Sequence, residues 1–355
     1  MIDLFTIKPK IANLLIVVVF VLSGCQNKTQ ESLSTLELVS ETFLLDIADG
    51  LMAAPISVAS LANGSYVVLT ESRQILLFDE KGKLVKNVEA IGQGGLEVES
   101  PTIVRSSPEG FAIWCSALLK MVVFDAEGNP LKAHFGFNRA IRKFEINQDH
   151  IIATIQNLAD NPYIQVYDRN QEKVIDELGT TDPMQVVNNF NGCSGGLASI
   201  KNKIVWMPSH DLTLFTLENI PNQQVKEKSF STDFFKQPKM PDNLTELVNT
   251  DIMKALELGL KMSVVTGIYP IGDELVITGD FGEGAFDAGQ LDLKNRKSFI
   301  LLLSKDMNPK GWVNSEYSIT EPCALYFSGQ DYLGRITLKE GEDDYQYWIE
   351  KLYLK

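Results

Sequence analysis

The chain is short of the residues from which metal centres and disulfide scaffolds are built. Its 355 residues include three histidines, His134, His150 and His210, and four cysteines, Cys25, Cys115, Cys193 and Cys323. No two cysteines stand at CxxC spacing, which excludes a zinc site of that type. Basic residues are outnumbered, 32 Lys and Arg against 46 Asp and Glu, giving a formal net charge of -14. A body of that sign repels phosphate backbones, so nucleic acid is excluded as a partner. Long apolar runs are missing too, since the stretch Ile11 to Leu22, about 12 residues, is too short to span a bilayer. Apolar residues as a whole are plentiful at 45%, enough for a large core and against disorder.

The stretch Ile75-Leu-Leu-Phe-Asp-Glu-Lys-Gly-Lys-Leu-Val85 returns along the chain as an apolar strand, a polar turn and a second strand. Copies lie at Met121 to Leu131, Ile164 to Val174 and around Phe215, with weaker ones at Phe299 to Asp306 and Tyr347 to Lys351. Asp and Gly supply the backbone angles that the hairpins need. The aligned residues Phe78, Phe124, Tyr167, Phe215, Leu303 and Ile349 are separated by 46, 43, 48, 88 and 46 positions. A period in the forties made only of strands predicts an all-β, six-bladed β-propeller, each blade having strands A to D. The last repeat lacks its fourth strand, and Leu36 to Ile47 is expected to supply it and close the ring. In the 88-residue step, Leu244, Leu247, Val248, Ile252, Ala255 and Leu256 recur at helical spacing. A helix is therefore expected in an insertion over 231–262, capped at Asp242 or Asn243 and ended by Gly259.

At the N-terminus, Lys8 and Lys10 precede the short apolar run, and Leu22-Ser23-Gly24-Cys25 follows it, as in a secretory signal. That tetrapeptide resembles the lipobox of bacterial lipoproteins, which implies cleavage after Gly24 and lipid attachment at Cys25. The expected organisation is a signal peptide over 1–24, a polar lipidated tether over 25–34, and a propeller over 35–355. With Cys25 carrying lipid, Cys115, Cys193 and Cys323 allow at most one disulfide within the chain.

The lipobox, the Phe-Asp-x-x-Gly turns and Ile91-Gly-Gln-Gly-Gly-Leu-Glu97 resemble the six-bladed, TolB-like β-propeller lipoproteins of Bacteroidetes-type bacteria. Many of those read closer to Gly-x-Gly-Pro-Gly-Glu in the Gly-rich stretch, where this chain has Gly95 and Leu96. The resemblance implies a fold and a place in the cell envelope, and brings no agreed activity; Gln26 to Thr29 lacks the acidic cluster that resembles a surface-export signal in such bacteria, so a lipid anchor at the outer membrane, on its periplasmic face, is expected.

In a propeller the D to A and B to C loops share one face. Here these are the long ones, Glu89 to Ser100, Gly179 to Gly196, Ser231 to Met262 and Gly279 to Lys297. Long loops on one rim of a rigid scaffold are where binding resides. The chain is therefore expected to be a monomeric binding or interaction module whose ligand is a glycan, peptide or protein, with Glu97, Arg139, His210, Asp280 and Asp287 as ligand-binding residues. Asp280, Glu283 and Asp287 in a Gly-rich loop form a set that calcium could accept, although EF-hand spacing is missing and no cofactor is required. The alternative is a metal-assisted lactonase, esterase or lyase, but the expected starts of the A strands, Pro55, Pro101, Arg139, Cys193, Thr266 and Cys323, offer no ring of carboxylates. Gly192-Cys-Ser194-Gly-Gly196 satisfies the G-x-S-x-G pattern, yet strands are expected after it where a nucleophile elbow needs a helix. Trp114 and Trp206 are expected to pack between blades.

Overall fold

The computed structural model describes residues 33–47, 52–156, 159–201, 203–218, 220, 224–237, 241–282, 286–287, 290–291, 297–315, 325–340 and 345–355. Six antiparallel sheets form the blades. Blade one is Pro55–Ser60, Tyr66–Thr70, Ile75–Phe78 and Leu84–Asn87, and blade two is Pro101–Ser106, Gly110–Cys115, Lys120–Asp125 and Pro130–His134. Blade three is Ile141–Ile146, His150–Ile155, Ile164–Asp168 and Lys173–Leu178, and blade four is Gly196–Ile200, Lys203–Met207, Thr213–Glu218 and Gln224–Ser229. Val264–Ile271, Glu274–Asp280, Ser298–Leu303 and Pro309–Ser315 make blade five. Blade six takes Leu325–Ser328, Leu333–Glu340 and Tyr345–Leu354 from the C-terminus and Leu38–Leu44 from the N-terminus, the latter antiparallel to Tyr345–Leu354.

The core lies between the blades, which explains the strand compositions. In blade one the B and C strands, Tyr66–Thr70 and Ile75–Phe78, are buried throughout and apolar except for Thr70, because a neighbour covers each face. The outer strand Leu84–Asn87 alternates half-buried with exposed residues. Trp114 packs edge-on against Phe137 between blades two and three, and Trp206 stacks on Phe215 beside the blade-three residues Ile152 and Ile164. Both tryptophans are packing residues, as expected.

Several elements differ from the sequence expectation. The D strand of blade five starts at Pro309, ahead of the expected Ser315, because a turn closed by Ser304 and Met307 returns the chain early. Ser34–Thr35 adds a parallel fifth strand beside Gly311 and Trp312. The long blade-three-to-four connection contains a helix, α1 (Pro183–Phe190), started by Pro183 and by Asp182, whose Oδ1 accepts the Met184 N–H at 2.7 Å. The predicted insertion helix is two helices, α2 (Leu244–Thr250) and α3 (Ile252–Leu260). Asp251 leaves the helical conformation between them and caps α3 by accepting from Lys254. Gly259 does not end α3; it lies inside it, where a Cβ would come within 2.7 Å of Val187 Cγ1 on α1. Its lack of a side chain lets the two helices touch. Among the described residues no helix is long and apolar enough to cross a membrane.

Candidate functional site

The innermost strands of the ring surround a channel that widens into two cavities. The larger, 680 Å³, lies at the face carrying the long loops and the three helices, and is lined by the starts of A strands and the ends of B strands. The smaller, 380 Å³, lies at the short-turn face. Val58, Arg105, Tyr269 and Tyr326 line both and form the waist.

A repeated backbone irregularity shapes the larger cavity. Near the start of the A strand, the pairing register slips between Pro55 and Ser57, Pro101 and Ile103, Ile141 and Lys143, and Val265 and Gly267. Each slip is a β-bulge, an extra residue that breaks the in-out alternation and re-aims a side chain. The four extra residues, Ile56, Thr102, Arg142 and Thr266, all line the cavity. Of these four blades, blade three alone places a charge at this position. Its bulge also brings consecutive cations, Arg142 and Lys143, to one lining.

Burial holds the Arg142 guanidinium below its ordinary pKa, and no carboxylate pairs with it among the described residues. Its Nε is enclosed and has no hydrogen-bond partner. Lys143 Nζ donates to the Thr266 carbonyl of blade five. Burial, then the nearby Arg105 charge, draws the Lys143 ammonium down to about 7. Below the waist, burial pushes Glu145 up to about 7 against the pull of Arg105, whose Nε lies 3.9 Å from Glu145 Oε1. In blade five Asp280 accepts from Ser298 Oγ at 2.6 Å. It is the last residue of the B strand Glu274–Asp280 and is buried, where the sequence suggested the first residue of a solvated loop.

Of the ligand-binding residues expected from the sequence, Asp280 lines this cavity; Glu97, Arg139 and His210 do not. Glu97 is exposed and folds back to accept the Gly94 N–H at 2.7 Å. The buried Lys120 pins the same Gly-rich loop by donating to Gly94 O at 2.6 Å. Arg139 precedes the lining residues Ala140 to Lys143 without joining them. His210 sits in a separate 290 Å³ cavity beside α1, its Nε2 3.9 Å from Asp182 Oδ1, and burial lowers its pKa. Asp287 belongs to a small hairpin, Phe286–Asp287 with Gln290–Leu291, and its side chain lies outside the described residues, as do Glu283, Cys25 and Cys323. Among the described residues no three His, Cys, Asp or Glu side chains gather at metal-binding distance. Cys115 is a free thiol, and Cys115 and Cys193 are both buried. Ser194 follows a helix and precedes a strand, the reverse of a nucleophile elbow, and its carbonyl accepts from Tyr163 OH at 2.8 Å.

Comparison with solved structures agrees on the fold. A member of the DUF4221 family from Bacteroides vulgatus ATCC 8482 superposes with a TM-score of 0.61 at 12% identity, over 90% of this chain and 99% of its own. A Bacteroides fragilis NCTC 9343 protein, named as a candidate for export, superposes with a TM-score of 0.63 at 13% identity, over 90% of this chain and 95% of its own. At such identities the likeness concerns the six-bladed propeller fold. No protein-family model and no curated protein sequence matches the chain.

Proposed function

We propose that this chain is an exported lipoprotein, anchored in the cell envelope through Cys25, whose propeller is a binding module that presents its long-loop face to a glycan, peptide or protein. The observation that carries this reading is the 680 Å³ cavity at that face, lined by five blades and by the segment entering the fourth. A space of that size encloses a small molecule, or the terminal group of a longer one. The secretory signal before Cys25 supports export, and the name of the Bacteroides fragilis structure is in keeping with it. Asp280 is the one carboxylate on the lining among the described residues, so a carboxylate ring for metal-assisted hydrolysis is not formed by them.

Photo-crosslinking in cells tests the binding face. A crosslinking residue at Phe190 or Met253, exposed on α1 and α3, is expected to give adducts, whereas one at Leu131, exposed on the outer strand of blade two, is not. Equal labelling at all three positions, or none, would overturn the reading. Labelling with a palmitate analogue, lost in Cys25→Ser, tests the anchor separately.

A further inference from the structure

We propose that the group entering the larger cavity is an oxyanion, a carboxylate or a phosphate, held by Arg142 and Lys143; this rests on the reading of that cavity as the ligand site. Charge supplies the first observation. The chain carries -14 overall, yet Arg105, Arg142 and Lys143 are three of the four charged side chains described on the lining. Cations held against the sign of the whole molecule concentrate an anion there.

Partnering supplies the second. Other enclosed arginines meet carboxylates: Arg169 lies 2.6 Å from Glu109, and Arg335 lies 2.6 Å from Glu350. Among the described residues Arg142 has no such contact, and its enclosed Nε is left unbonded. An unpaired guanidinium destabilises a fold unless something compensates it, and its planar fork suits a carboxylate or phosphate. Lys143 spends one of its three N–H donors on the Thr266 carbonyl, which fixes the ammonium in place with two donors remaining.

The bulge supplies the third. Regular alternation would send the side chains of residues 142 and 143 to opposite sides of the strand, whereas the register slip between Ile141 and Lys143 lets both reach the lining. Blades one, two and five carry the same bulge with Ile56, Thr102 and Thr266 in the Arg142 position. The backbone device is thus general to the ring, and the cationic pair is particular to blade three.

The full-length chain is titrated calorimetrically with inorganic phosphate and, separately, with citrate, each against sodium chloride of matched ionic strength. Saturable binding of at least one anion is expected, with a rise in melting midpoint. The arm that responds distinguishes phosphate from carboxylate. Arg142→Gln is expected to weaken that binding at least about tenfold, while Arg142→Lys, which keeps the charge and loses the fork, falls between. Without anion, Arg142→Gln should melt no lower than wild type, because its enclosed Nε has no partner to lose; a merely structural arginine would cost stability there. Lys201→Gln, at an exposed ion pair with Asp273, should bind like wild type. Absence of binding by both anions, unchanged affinity in Arg142→Gln, or equal weakening in Lys201→Gln would overturn the inference. Crosslinking at Phe190 that survives Arg142→Gln, with no anion bound, would overturn the oxyanion and leave the binding face standing. Arg142-dependent anion binding without adducts at Phe190 would support the pocket and remove the extended partner.

Discussion

Arg169 and Arg142 are enclosed arginines of one blade, and their surroundings treat them in opposite ways. Arg169 stands at the short-turn face, where its guanidinium meets Glu109 of blade two at 2.6 Å and donates to the carbonyls of Asn147 at 2.5 Å and Gln148 at 3.2 Å. It fastens blade two to blade three. Arg142 stands at the long-loop face, where the described residues give it no carboxylate and no acceptor for its enclosed Nε. Charge at one face is consumed by the fold, and charge at the other is held open.

The largest effect expected from this contrast is that of Arg169→Met. It strands Glu109 and two carbonyls, and breaking a buried pair from one side costs about 3 to 5 kcal/mol. Glu109 keeps about a third of its side-chain surface in water, which places the expected loss near the lower end, about 3 kcal/mol. Arg142→Met is expected within about 1 kcal/mol of wild type, or above it. Urea unfolding measures both. Equal losses would end the distinction between the faces.

His134, buried beneath Arg169, sharpens the same contrast through pH. Burial, then the charges of Lys132 and Arg169, draws its pKa down to about 4. The unfolded imidazole titrates near 6.5, so between about 6.5 and 4 the unfolded chain binds the extra proton and acid favours unfolding. Stability should be full above about pH 6.5 and fall by about 2 to 3 kcal/mol on acidification to pH 4. His134→Phe should flatten that segment of the stability curve relative to wild type. A slope unchanged by the substitution would show that His134 is not held neutral by the fold.

At the helical cap of the long-loop face the expected change is smaller. Gly259→Ala would force a Cβ against Val187 Cγ1 and the Asn188 and Asn191 side chains, at a cost of about 1 to 2 kcal/mol from overpacking. Hydrogen exchange should show faster opening of α1 and α3 with the blades unchanged. Uniform loosening of the whole ring would instead make the cap part of the propeller's own cooperative unit.

How much of this was readable in the chain follows from which signals are local. The blades and their closure were, because apolar strands and Asp-x-x-Gly turns repeat at one period and Leu38–Leu44 carries the missing strand's pattern. Helix α1 was not, since its eight residues include Asn188 and Asn189, which serve a buried hydrogen-bond network with Gln185 and Ser209 rather than a helical stripe. The site was readable only as a face. The sequence points to Arg139 at the junction, whereas the bulge that turns Arg142 inward depends on pairing with Ile155 and Thr154, which spacing along one strand does not encode. The adjacent Arg-Lys at the start of an inner strand of an acidic protein was the available signal.

The smallest effect concerns the repeat itself, at the short-turn face. In blades one and two the C to D turns pair Phe78 with Leu84 and Phe124 with Pro130, and Gly82 and Gly128 take φ of 82° and 78°. Asp79 and Asp125 each accept two backbone N–H groups to hold the turn. Blade three pairs Tyr167 with Val174, one residue longer, and the left-handed position falls on Glu172 at φ 52°. A side chain there costs about 1 to 2 kcal/mol. Glycine would relieve that strain, offset in part by its greater freedom in the unfolded chain and by loss of the half-exposed Lys132 pair at 3.1 Å. Glu172→Gly should therefore raise stability by about 0.5 kcal/mol, read as a small upward shift of the urea midpoint at unchanged slope. A fall would mean that the ion pair holds this turn, and that the short-turn face relies on charge even where its backbone would accept glycine.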